Sequence, residues 1–249
     1  MAKIKEIKNG YRQISYWVML MARDKYDLDM LKNKFPKAIR LSWEDVEALV
    51  WDIFMSLVSA PYDPDVIIGV ARGGLAPARI LVDYLQKKYI CTIQMGHWDN
   101  KKMLTERPVL IYPLPDIDLK DKRVLVVDDI CDEGDTMVEV EKYLADKVGD
   151  IKIAVLVRKS DSQFIPNYCP KVMDEWRWVF FPWSKHEDLV AFVEKVLQLT
   201  GGVTIEEIIR ILEYSMGVEF ATPEIKRALF DMKLSGEIVE DANKGWTLI

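Results

Sequence analysis

Asp128 and Asp129 stand side by side at the end of the apolar run Val124-Leu-Val-Val127, and Ile-Cys-Asp-Glu-Gly-Asp-Thr136 follows them. An apolar strand here delivers two carboxylates into a short Gly-containing turn, with a helical pattern beyond. Such a turn, with the helix N-terminus behind it, offers backbone N–H groups and a positive dipole end to a phosphate. Gly134 permits close backbone approach and Thr136 adds a hydroxyl donor. The paired carboxylates suit sugar hydroxyls or an Mg²⁺ ion. An isolated Asp-Asp is more often an ordinary acidic loop, but the apolar run before it and the Gly-x-Thr after it reverse that reading. A second stretch, Asp65-Val-Ile-Ile-Gly-Val-Ala-Arg-Gly-Gly-Leu-Ala-Pro-Ala-Arg79, also reads as strand, turn and helix. Taken alone, its Arg72-Gly73-Gly74 is only a tight turn.

The elements that must position these residues follow from periodicity. Strands are expected at Val66–Val70, Ile90–Gln94, Val124–Val127 and Ile151–Val157. Three are nearly continuous apolar runs, as suits strands buried on both faces of a parallel sheet. Helical patterns over Leu75–Lys88 and Thr136–Lys147 separate them. An earlier helix opens at Ser42, an N-cap followed by acidic residues, and buries Val46, Leu49, Val50, Ile53 and Leu57 before Ala60-Pro-Tyr-Asp-Pro64 ends it. Strand–helix alternation predicts an α/β doubly wound parallel sheet with ligands at the carboxyl ends of its strands. After Thr200, Gly201-Gly202 reads as a linker. A helix from Thr204 to Tyr214, another from Thr222-Pro223, and a hairpin of 237–240 with 246–249 follow. That order resembles a small winged-helix domain. The expected division is an N-terminal extension over 1–40, the sheet domain over 41–199, and the C-terminal domain over 200–249.

The segment from Val124 to Thr136 resembles the phosphoribosyl pyrophosphate signature of type I phosphoribosyltransferases, and Arg72-Gly73-Gly74 resembles that family's pyrophosphate loop. Lys159, after the fourth strand, and Trp178 in Glu175-Trp-Arg-Trp-Val-Phe-Phe-Pro-Trp183 look like the base pocket of the 6-oxopurine group, particularly the xanthine-guanine enzymes. The resemblance covers residues 42–195. It implies transfer from phosphoribosyl pyrophosphate to a purine base with Mg²⁺ as cofactor, in a homodimer or homotetramer. Arg72 and Gly73 would contact pyrophosphate, across an unusual cis peptide between Ala71 and Arg72. Asp128 and Asp129 would meet the ribose hydroxyls and the metal. Asp132 would act as general acid/base near purine N7, while Glu133, Gly134, Asp135 and Thr136 join it around the 5′-phosphate. Lys159 would donate to the purine oxo group, a sensible choice because Lys only donates. Trp178 would stack on the base, with Trp176 and Trp183 as competing rings, and the Val179 backbone would meet the base edge. Residues 96–115, which include His97, fall where the family has a mobile loop. The family usually carries Thr or Ser at the Glu133 position, and a basic or small residue at Asp135. Two carboxylates there oppose a dianionic phosphate unless they face solvent.

Composition narrows the alternatives. Lys and Arg total 34 against 40 Asp and Glu, a net charge of −6, so nonspecific nucleic-acid binding is disfavoured. The three cysteines are widely spaced, which argues against a disulfide framework or a zinc site. No signal peptide is read at the N-terminus, and no apolar stretch is long enough to span a bilayer, so a cytoplasmic protein without a membrane partner is expected. The runner-up is a ligand-sensing transcription regulator with a DNA-binding tail. Residues 200–249 hold nine acidic and five basic residues, where a DNA reader would show a basic face.

Overall fold

The computed structural model describes residues 26–96 and 107–249, with the backbone of 98–99 and 102–103. Chain order runs α1 (Leu28–Lys32), β1 (Ala38–Arg40), α2 (Trp43–Ser59), β2 (Val66–Ala71), α3 (Leu75–Tyr84), β3 (Ile90–Gly96), β4 (Trp98–Asp99), β5 (Lys102–Met103) and β6 (Val109–Tyr112). It continues with β7 (Leu119–Cys131), α4 (Asp135–Leu144), β8 (Val148–Lys159), β9 (Lys171–Met173) and β10 (Trp178–Phe180). Last come α5 (Lys185–Thr200), α6 (Ile205–Met216), α7 (Thr222–Leu234), β11 (Ile238–Asp241) and β12 (Gly245–Leu248).

Six strands form the main sheet in the order β6-β3-β2-β7-β8-β9. All neighbours pair in parallel except β6, which runs antiparallel to β3 along one edge. The apolar runs behave as their composition requires. Val124, Leu125, Val126 and Val127 in β7, and Ala154 to Val157 in β8, are completely buried, with helices closing both faces. On one face α2 presents Val46, Val50, Ile53 and Leu57, and on the other α4 presents Met137, Val140 and Leu144. Ser42 and Asp45 cap α2 reciprocally, each side chain taking the other's backbone N–H.

Several elements end where local chemistry, rather than apolar spacing, decides. The expected helix to Lys88 stops at Tyr84, because Gln86 adopts a left-handed φ of 52° and Lys87 N–H turns back to Val82 O. The strand expected over 124–127 extends through Asp128 and Asp129 to Cys131, so both carboxylates sit on a paired strand.

A second hydrophobic cluster joins Leu31, Phe35 and Ala38 to Phe180, to the inner face of α5 (Leu189, Phe192, Val193, Val196, Leu197), and to α6 and α7. The glycines read as a linker are structural here. Gly201 caps α5 through Leu197 O, and Gly202 is buried beneath Lys244 and Thr247 of the hairpin. Lys37 Nζ donates to Ser215 O, and Glu224 is paired with both Arg40 and Lys185. The element order beyond Thr200 is the expected two helices and a hairpin. The winged-helix likeness rests on that order alone.

Candidate active site

The Gly134 turn joins the end of β7 to the start of α4. Gly134 is the helix N-cap at φ +103°, a conformation that strongly favours glycine, and a Cβ there would lie 2.5 Å from Phe164 Cβ. No side chain caps this helix. The first N–H groups of a helix have no intrahelical acceptor, so the amides of the first turn remain for a ligand. The helix after the Arg72-Gly73-Gly74 turn also lacks a side-chain cap. By contrast α2 and α6 are fully boxed by Ser42 with Asp45 and by Thr204 with Glu207. Segment 162–164 braces the turn from behind, with Gln163 N–H donating to Glu133 O and Ser162 Oγ against Cys131 Sγ. In front it is open. Glu133 and Asp135 are exposed, and Asp132 and Thr136 half so, which places the two additional carboxylates in solvent.

Asp128 is buried and Asp129 partly so. Burial raises the pKa of both carboxyls, Asp128 well above the usual range, where the neighbouring Asp129 charge adds to the rise. Trp183 works against this at Asp129, its indole N–H donating to Oδ2 at 3.2 Å. That ring is stacked on Phe181 with centroids 4.9 Å apart. Gly73 is held against the same carboxylate, where any Cβ would collide with it. The peptide between Ala71 and Arg72 is cis, as expected. Arg72 extends to Glu187 Oε1 at 3.0 Å, in the first turn of α5.

Asp132 and Lys159, 27 residues apart in sequence, meet in an ion pair at 2.5 Å. The Lys159 side chain is only 4% exposed, and its ammonium lies 4.0 Å from the ring centre of Trp176. Trp178 is half-buried and edge-to-face with Phe192 at 5.3 Å. Its indole N–H is buried without a hydrogen-bond acceptor, facing Asp188 closely enough to favour that carboxylate's charge. Burial pushes Asp188 up to about 7, with Ser184 and Trp178 opposing. Val179 is buried at the centre of β10. Trp178 N–H donates to Lys37 O, and Leu41 N–H to Phe180 O. In a parallel pair the polar groups of alternate residues point to opposite edges, so those of Val179 point away from β1.

The sequence-predicted residues therefore fall into two groups. Arg72, Gly73, Asp128 and Asp129 meet at the ends of β2 and β7, beside the turn that carries Asp132 to Thr136. Lys159 joins Asp132, with Trp176 rather than Trp178 against its ammonium. His97 lies outside the described residues, as do 100–101 and 104–106 of the expected loop. Glu187 and Asp188 were not expected as partners of the site, and Trp183, expected only as a competing ring for the base, meets Asp129 instead; all three are brought in by the crossing from β10 to α5.

Residues 37–188 match the sequence profile of the phosphoribosyl transferase domain, three-fifths of the chain. The chain belongs to that family. Among phosphoribosyltransferases it is similar to the xanthine-guanine enzyme of Idiomarina loihiensis, at 26% identity over 149 residues, 59% of this chain and 86% of that protein. The xanthine-guanine phosphoribosyltransferase of Cereibacter sphaeroides is 26% identical over 167 residues, covering 62% and 92%. A solved purine phosphoribosyltransferase from Pyrococcus horikoshii Ot3 aligns with a TM-score of 0.51 and 36% identity, over 59% of this chain and 93% of that one. The turns at Gly73 and Gly134 both lie within the phosphoribosyltransferase match, whereas α6, α7 and the hairpin lie beyond it. No described helix is long and apolar enough to cross a membrane.

Proposed function

We propose that the chain is a purine phosphoribosyltransferase of the 6-oxopurine group, forming a nucleoside monophosphate and pyrophosphate from phosphoribosyl pyrophosphate and hypoxanthine, guanine or xanthine in purine salvage. Adenine is the nearest variant. One observation carries the reading: the uncapped helix start at Gly134, flanked by the exposed Glu133 and Asp135 and following directly on the strand that carries Asp128 and Asp129. The names of the similar proteins favour the same chemistry. They give no support to the regulator weighed from the sequence.

In this reading the amides of residues 133–136 and the Thr136 hydroxyl hold the 5′-phosphate. Arg72 and the Gly73 backbone bind the pyrophosphate. The bond from the sugar C1′ to the pyrophosphate oxygen breaks as purine nitrogen bonds to C1′, through a transition state with cationic character on the sugar. Asp132 takes the proton leaving the base at N7, acting as general base. Lys159, now bound to Asp132, turns its remaining N–H groups to the oxo oxygen. Val179, with polar groups directed away from β1, meets the base edge, and Trp178 supplies the stacking face.

Asp128 and Asp129 are the residues that would hold Mg²⁺. Two adjacent carboxylates, one buried and one partly so and both raised in pKa by burial, form a donor set that a divalent cation or ribose hydroxyls would relieve. Magnesium takes few protein carboxylates and completes its coordination with water and substrate phosphate. When bound it would neutralise charge on the departing pyrophosphate. The proposal includes a cytoplasmic homodimer or homotetramer, which sedimentation velocity checks.

The test is direct. Protein, Mg²⁺ and phosphoribosyl pyrophosphate are incubated with each of the four purines, and nucleotide is followed chromatographically. Product with 6-oxopurines is expected, and no product with any base contradicts the proposal.

A further inference from the structure

Four described helices carry a carboxylate at their third position: Asp45 in α2, Glu187 in α5, Glu207 in α6 and Glu224 in α7. Three of them turn back to the N-cap amide, at Ser42, Thr204 and Ala221. Glu187 does not. Ser184 N–H goes to Phe181 O, and the Glu187 carboxylate reaches outward to the Arg72 guanidinium, 115 residues away in sequence. A carboxylate in a first helical turn is favoured by the helix dipole wherever it points. Its direction here needs another cause, and the loop carrying Arg72 supplies one. The α5 backbone is fixed, because Leu189, Phe192 and Val193 lock the next turns into the second hydrophobic cluster. Arg72 is 65% exposed and sits on a turn, so it is the partner able to move.

We propose that Glu187 holds Arg72 while the pyrophosphate site is empty and is displaced when pyrophosphate binds, so that this carboxylate sets the site's affinity for pyrophosphate. The inference rests on the phosphoribosyl transfer reading given above. A guanidinium pairs bidentately with carboxylate and phosphate alike, so the two anions compete for one donor fork. Glu187 is thus a positioning residue, acting through Arg72.

Isothermal titration of the full chain with inorganic pyrophosphate and Mg²⁺ tests this, using wild type, Glu187→Gln and Glu187→Ala. Both variants should bind pyrophosphate about three- to fivefold more tightly, the range expected for losing one exposed ion pair. Ribose 5-phosphate, directed at the Gly134 turn, should bind all three alike. In an Arg72→Gln background the gain from Glu187→Gln should vanish. Unchanged or weaker pyrophosphate binding in both variants, or a gain that persists without Arg72, overturns the inference and leaves the transferase reading standing. A wild-type protein that binds no pyrophosphate overturns both.

Discussion

At the Gly134 turn the groups available to a ligand are backbone amides, held by one left-handed glycine and a helix start. At Lys159 they are side chains that β8, the β7–α4 turn and the segment before β10 bring together. The first end has no side-chain cap before anything binds. The second is occupied by itself, with Lys159 committed to Asp132 and to the Trp176 ring. Under the proposed reaction a backbone cradle would read the phosphate that every substrate shares, and a side-chain pocket would read the base that differs between substrates.

The largest break in this comparison should come from Gly134→Val. It forces a β-branched residue to φ +103° and drives its Cβ into Phe164. Unfolding free energy should fall by about 3 kcal/mol or more in denaturant titration, and ribose 5-phosphate binding should be lost. Lys159→Gln strikes the other end alone. It should lower kcat/KM for hypoxanthine about 100-fold while changing the ribose 5-phosphate Kd less than about threefold.

Asp188 sits between the ends, near Trp178 and Asp129. Its folded pKa of about 7 lies above the unfolded value near 3.8. Between those values the folded state keeps a proton that the unfolded state has lost, so the group costs stability as pH rises and levels off above 7. Asp188→Asn should therefore be more stable than wild type at pH 7.5, by a margin that shrinks to almost nothing at pH 4, measured by denaturant melts across that range. Trp183→Phe keeps the stack on Phe181 and removes the N–H given to Asp129. It should lower kcat/KM for phosphoribosyl pyrophosphate about tenfold with little change in melting temperature. The smallest effect belongs to Glu133→Gln. That side chain lies in solvent, so phosphate affinity should improve only about two- to threefold.

The same contrast governs what was legible in the sequence. The proposed phosphate end is contiguous: Asp128, Asp129, Gly134 and Thr136 lie within nine positions, and strand, turn and helix are all local decisions. The buried runs of β7 and β8 were equally plain, because continuous apolar residues leave few other places to go. At the base end, spacing located Lys159 but could not say which tryptophan stands beside it. Trp176 and Trp178 differ by two positions, and their directions depend on how β10 pairs with β1. Glu187 and Asp188 as site partners, and the link from Trp183 to Asp129, were invisible for a related reason. A tryptophan after a proline and acids in a first helical turn are unremarkable until the fold carries them to Asp129 and Arg72. The glycines at 201–202 misled in the opposite sense, since a Gly-Gly pair reads as a linker whether it is free or packed under a hairpin.

The central claim is that the turn from Asp128 to Thr136 cradles a sugar phosphate. A crystal structure with guanosine or inosine monophosphate tests it most directly. The 5′-phosphate should lie against the amides of residues 133–136, with the ribose hydroxyls at Asp128 and Asp129 and the purine oxo group on Lys159. Phosphate density at any other helix start, with the Gly134 amides bound only to water, would contradict the account.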